Sequence, residues 1–119
     1  GEDVKVTFTP HLTPMTRGIL ATIYAKLNAK GMAADIQKLY EEAYANECFV
    51  RVMPAGVYPK TKWVAGSNFC DISVQVDVRT GRIIICSVSA KYEFAIWSAG
   101  KYGLIASAHV PVSAGGKTK

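Results

Sequence analysis

Apolar and polar residues alternate strictly over two stretches of the chain. From Ile19 to Leu27, Ile19, Ala21, Ile23, Ala25 and Leu27 fall on one side and Leu20, Thr22, Tyr24 and Lys26 on the other. A period of two is the signature of a strand, and the β-branched residues in this run favour it. From Cys70 to Val78, Cys70, Ile72, Val74, Val76 and Val78 alternate with Asp71, Ser73, Gln75 and Asp77, which predicts one buried and one wet face. Between them the period changes. Over Ala33 to Asn46, Ile36, Leu39, Tyr40, Ala43 and Tyr44 recur at helical spacing opposite Asp35, Lys38, Glu41 and Glu42, so a single amphipathic helix is expected. Cys48 to Met53 reads as a short strand. Arg82 to Val88, entered through the Thr80-Gly81 turn, is apolar on both sides and suits the central strand of a hairpin. Tyr92 to Trp97 and Tyr102 to Pro111 read as two further strands, separated by Ser98-Ala99-Gly100. Phe8 to Arg17, with two prolines, and Pro54 to Asn68, with Gly56, Pro59 and Gly66, read as loops.

Strand, helix, strand and then a meander of about four antiparallel strands amount to an α+β fold, a mostly antiparallel sheet with one main helix packed on one face. Residues 1–112 form one domain in this reading and 113–119 a flexible tail of linker composition. One helix cannot cover both faces of such a sheet. The apolar residues on both sides of several strands therefore predict a homo-oligomer formed through the sheet.

At 119 residues the chain has room for one core and at most one site. Its net charge of +5 comes from dispersed lysines with no arginine cluster or aromatic-interleaved basic strip, which argues against nucleic acid as a partner. No apolar run approaches the roughly 20 residues of a membrane span, and the opening Gly1-Glu2-Asp3 does not resemble a secretory leader. A cytoplasmic location is expected. Cys48, Cys70 and Cys86, without C-x-x-C spacing, are expected to be small core residues.

The candidate chemistry is sparse. His11, between Pro10 and Pro14, is either a hydrogen-bonded turn residue or a substrate contact. Arg17 beside Gly18 either binds an oxyanion or is a solvated arginine at a strand entry. No metal is expected, since His11, His109 and a stray carboxylate are not a recognisable ligand set. No G-x-G-x-x-G follows a strand, so no dinucleotide cofactor is expected either. Cys70 lacks the helix N-terminus or cationic neighbours of a nucleophilic thiolate.

The stretch FTPHLTPMTRGILATIYAKL, the strand FVRV and the run VAGSNFCDISVQVDVRTGRIIICSV resemble N-acetyl-γ-glutamyl-phosphate reductase, the NADP-dependent acyl-phosphate reductase of arginine biosynthesis. The resemblance covers residues 4–88 and implies the C-terminal part of that family's catalytic and dimerisation domain. Residues 92–111 resemble a segment that in the family precedes FTPHL, a strand leading through Tyr-Gly to H-R-H-x-P-E-I. The resemblance therefore implies a circularly permuted order. On it His109 takes the place of the family's catalytic histidine, but Ser107 and Ala108 replace the other His and Arg and Val112 replaces the acid, a pattern suggestive of redesign. The family's nucleophilic cysteine and nucleotide domain have no counterpart in these residues. The expectation is a non-catalytic structural and oligomerising domain, not an enzyme by itself, with His11 and Arg17 as candidate substrate-binding residues. The alternative is a substrate-binding or catalytic half that works with a separate nucleotide-binding chain.

Overall fold

Thr7–Thr13 (β1), Ile19–Lys26 (β2), Val50–Val52 (β3), Cys70–Asp77 (β4), Arg82–Ser89 (β5) and Gly103–Val110 (β6) form one six-stranded sheet in the order β1-β6-β2-β5-β4-β3. The computed structural model describes residues 6–15, 17–90 and 103–110. Three of the five strand pairings are antiparallel; β6 runs parallel to β2, and β3 runs parallel to β4. Among the described residues three helices accompany the sheet, Ala29–Ala33 (α1), Ile36–Ala43 (α2) and Thr61–Val64 (α3). The expected α+β class and predominantly antiparallel sheet hold.

The register joins the separate alternations into two continuous faces. Ile23 lies opposite Ile85, Ala25 opposite Ile83, and these in turn opposite Val74 and Val76. One face therefore carries Ile19, Ala21, Ile23, Ala25, Ile83, Ile85, Ile72, Val74 and Val76, and extends to Phe8 and Leu12 on β1. The other carries Thr22 and Tyr24, Cys86 and Val88, and Asp71, Ser73 and Gln75. Packing is uneven along the apolar face. Ala25, Ile72, Val74 and Ile83 are buried, whereas Phe8 and Leu12 on the edge strand are 60% and 64% exposed. α2 packs against β4, and its Ile36 lines the same cleft as Val74 and Val76, so the helix covers this face only at the β4 side.

Several expectations are corrected. The helix expected over 33–46 is the shorter α2: Asp35 is extended (ψ 91°) and its carboxylate accepts the Lys38 N–H at 3.1 Å, which starts α2 there. A further short helix, α1, begins after Asn28, whose side chain caps it by accepting from Gly31 N at 2.8 Å. The Phe8 to Arg17 loop is largely β1. An edge strand tolerates Pro10, because a proline there removes no ladder bond that the sheet requires. The loop 54–68 contains α3. The meander is not formed, because β2 lies between β5 and β6. Cys48 is exposed and Cys70 and Cys86 are only half-buried, so none is a core residue, and all three are free thiols. The strand expected over Tyr92 to Trp97 and the tail 113–119 lie outside the described residues.

The wet face of β4 is also corrected, since Asp71 and Ser73 are buried there. Val88 lies directly opposite Asp71, and both Val88 and Val64 of α3 are completely buried. α3 packs against β5.

Two groups set an alkaline limit on stability. Burial pushes the Cys86 thiol above its ordinary value, against a hydrogen bond with Thr22 that lowers it. Burial likewise raises the Tyr40 phenol, and neighbouring Tyr44 adds to the rise. In both cases the folded pKa lies above the unfolded one, so the unfolded chain releases its proton first as pH rises. The stabilising contribution is complete below the unfolded pKa and is lost as pH climbs through the folded pKa. Thermal midpoints should hold up to about pH 8.5 and then fall, with Cys86→Ala flattening the first part of the fall. A midpoint unchanged from pH 9 to 11 would contradict this assignment.

Candidate functional site

Arg17 stands at the foot of β2, where Gly18 adopts φ +124°, a conformation costly for any residue with a Cβ. This turn brings Met15 and Arg17 to a cleft of about 560 Å³ shared with Thr61 and Lys62 of α3, the turn 65–68, and Ala90 at the end of β5. The volume is that of a small-molecule site. The turn is held from within. Gly66 has φ +74°, Ser67 Oγ donates to the Val64 carbonyl at 2.7 Å, and the same oxygen accepts from Phe69 N at 3.2 Å.

The cleft's electrostatics follow from its lining. Among the described residues, Arg17 and Lys62 are its charged lining and no carboxylate lines it. Among the described residues neither cation is in an ion pair. With the Thr61 hydroxyl and the Asn68 amide beside them, the arrangement suits an oxyanion such as a phosphate or carboxylate, which a guanidinium can meet with two parallel hydrogen bonds.

Behind the turn lies a second polar construction. Arg51 on β3 donates from Nε to Asp71 Oδ1 at 2.6 Å and from Nη2 to Asp71 Oδ2 at 2.9 Å. The hydrogen bonding raises the guanidinium above its ordinary value. The same guanidinium lies 4.4 Å from the centre of the Phe69 ring, and Phe49 meets that ring edge-on at 6.0 Å.

The sequence-predicted residues do not converge. Arg17 lines the cleft. His11 lies on β1 opposite Ile105, two strands away from Leu20, and is not part of the lining. His109 on β6 lies opposite Thr7 and Tyr24. Ile19, next to Gly18, lies opposite Leu104, so His109 is five residues farther along β6, roughly 16 Å from the Arg17 end at strand rise. Cys70 points toward Ser87, with Sγ and Oγ 3.4 Å apart. Sequence reasoning missed Lys62, Asn68 and the Arg51–Asp71 pair. The glycine-punctuated T-K-W-V-A-G-S-N run was their only local signal, and it reads equally well as an ordinary loop.

No described element fits a dinucleotide. α2 is preceded by α1 rather than by a glycine-rich turn after a strand, and its N-terminus is already taken by the Asp35 carboxylate, which would repel a pyrophosphate. The Gly66 turn follows α3 instead of preceding it. Among the described residues no group of three or more His, Cys, Asp or Glu could hold a metal ion, and no helix is long and apolar enough to cross a membrane.

Residues 1–89 match the family model described as semialdehyde dehydrogenase, dimerisation domain. Among curated proteins the chain is similar to N-acetyl-γ-glutamyl-phosphate reductases from Pelotomaculum thermopropionicum, 59% identical over 87 residues, and Desulforamulus reducens, 60% identical over 87 residues. It is also 58% identical over 88 residues to the reductase of Brevibacillus brevis. These matches cover 73%, 73% and 74% of this chain, which spans about a quarter of the length of each relative.

Proposed function

Since the chain belongs to the semialdehyde dehydrogenase dimerisation-domain family, we propose that it is the self-associating, substrate-side domain of a cytoplasmic N-acetyl-γ-glutamyl-phosphate reductase of arginine biosynthesis. By itself it transfers no hydride. The observation that carries this reading is the basic cleft: Arg17 and Lys62 line a small-molecule volume in which, among the described residues, no carboxylate neutralises them, which suits an acidic substrate. The likeness to curated reductases supplies the substrate class. Hydride transfer needs a bound nicotinamide, and acyl transfer a thiolate. Neither a dinucleotide fingerprint nor a cysteine in the cleft lining is present in these residues. Self-association uses the apolar sheet face, where Phe8 and Leu12 are left bare by α2.

Titration of the 119-residue chain with N-acetylglutamate and with inorganic phosphate should shift the amides of Gly66 to Asn68, and Arg17→Ala should weaken that response at least about tenfold. Unshifted amides would remove the cleft from the reading. The isolated chain should not oxidise NADPH in the presence of an acyl phosphate; turnover above a buffer blank would sink the non-catalytic part.

A second reading has the same cleft completed by a separate nucleotide-binding chain, favoured by Arg17 and Lys62 having no ion-pair partner among the described residues. Activity appearing only on mixing the two chains would identify it. The permuted order, with residues 92–111 standing where an earlier segment belongs, draws support from topology. β1 and β2 follow each other in the chain but are not neighbours, and β6 fills the strand-wide gap between them, antiparallel to β1.

A further inference from the structure

We propose that Arg51 is a positioning residue for the basic cleft: through Asp71 and the Phe69 ring it holds the 66–68 turn, and so Asn68, at the distance from Arg17 and Lys62 at which one oxyanion can meet all three. The inference rests on the anion-binding reading of the cleft.

The turn is fastened at two ends. On its N-terminal side Ser67 is tied to the last turn of α3 by its backbone N–H and its hydroxyl, both donating to the Val64 carbonyl, at 3.0 and 2.7 Å. Val64 is itself completely buried. On its C-terminal side the chain enters β4 at Phe69 and Cys70, where Cys70 N donates to the Phe49 carbonyl at 2.8 Å. Phe69 is the residue next to Asn68, and its ring is fixed on one side by the Arg51 guanidinium and on another by the edge of Phe49. The guanidinium is in turn fixed by a two-point contact with Asp71, which is completely buried and cannot follow it outward. A fork-shaped donor held at two points has one orientation, and a ring stacked on it inherits that orientation. A lysine at 51 keeps the charge but has neither the fork nor the flat face. Asn68 would then be free to shift by an ångström or so, which is enough to cost a convergent site about one to two orders of magnitude.

The two ends have different consequences. Loosening at Val64 moves α3 and its Lys62 together with the turn, whereas loosening at Phe69 moves Asn68 alone relative to the two cations. An Arg51 change that keeps the positive charge is thus expected to affect anion affinity out of proportion to its effect on stability.

The test uses the 119-residue chain, with inorganic phosphate as probe, read by calorimetry and by the amide shifts of the 66–68 turn. Arg51→Lys should bind phosphate about tenfold more weakly than the unsubstituted chain. Ile83→Val, a core change at the far end of β5, should lower the melting temperature with unchanged affinity. Phe69→Leu carries the same test should Arg51→Lys not fold, and it should weaken binding similarly. Affinity unchanged in the folded Arg51 or Phe69 variants, with the unsubstituted chain binding phosphate, overturns the positioning role and leaves the cleft reading intact. No binding by the unsubstituted chain overturns the cleft reading and this inference with it. An affinity loss in Ile83→Val equal to that in Arg51→Lys would show only general loosening and would also overturn it.

Discussion

Arg51→Met is expected to lower the melting temperature more than the double change Arg51→Met with Asp71→Leu. Asp71 is completely buried, directly opposite the fully buried Val88 on β5. Arg51 satisfies both of its carboxylate oxygens, at 2.6 and 2.9 Å. Removing the arginine alone strands a carboxylate where water cannot reach it. Removing both leaves an apolar side chain among apolar neighbours, and buried ion pairs replaced as a pair by hydrophobic residues are often neutral or better. Thermal melts of the two single variants and the double variant in one buffer decide the matter. A single variant that melts no lower than the double would mean that the carboxylate finds another partner or water, and the buried-pair account would fail.

Val64→Ala should cost about 2 kcal/mol, since two methyl groups leave a fully packed position and α3 is too short to re-form around the gap. Measured by urea unfolding, this should far exceed the effect of Leu39→Ala on α2, where the side chain is half exposed and little burial is lost. α3 forms part of the cleft wall, so the same substitution should also broaden the amide resonances of the turn 65–68. Equal urea midpoints for the two variants would mean that α3 is not held by its valine.

The strands were legible to the extent that their alternation was. Cys70–Asp77 and Arg82–Ser89 emerge within a residue of their expected limits, because a tight Thr80-Gly81 turn and a period of two leave few other ways to bury Ile72, Val74 and Ile83. β1 was not legible, because Pro10 and Pro14 read as loop residues until a partner strand is available on one side. The start of α2 at Ile36 was written in the sequence as an aspartate three residues before Lys38, whereas α1 is too short to show a helical period.

Of the candidate site, Arg17 alone was visible in advance. Lys62 and Asn68 lie more than forty residues away in sequence from Arg17 and are brought to it by the pairing of β2 with β5 and the packing of α3 on β5. His109, singled out by a motif, falls at the opposite end of the sheet from the cleft.

By itself the sequence determined the α+β class, the central hairpin, the apolar set that makes one face of the sheet, and the family to which residues 1–89 belong. The first three depend on local period and composition, which a linear string records directly, and the family on the likeness of its motifs. Only the tertiary structure decided that β6 separates β1 from β2, that Asp71 turns inward to meet Arg51, and that two cations from distant segments share one cleft. Each of these depends on which strand edges find each other. That choice is made by the summed burial and hydrogen bonding of the whole sheet, and no local stretch of residues encodes it.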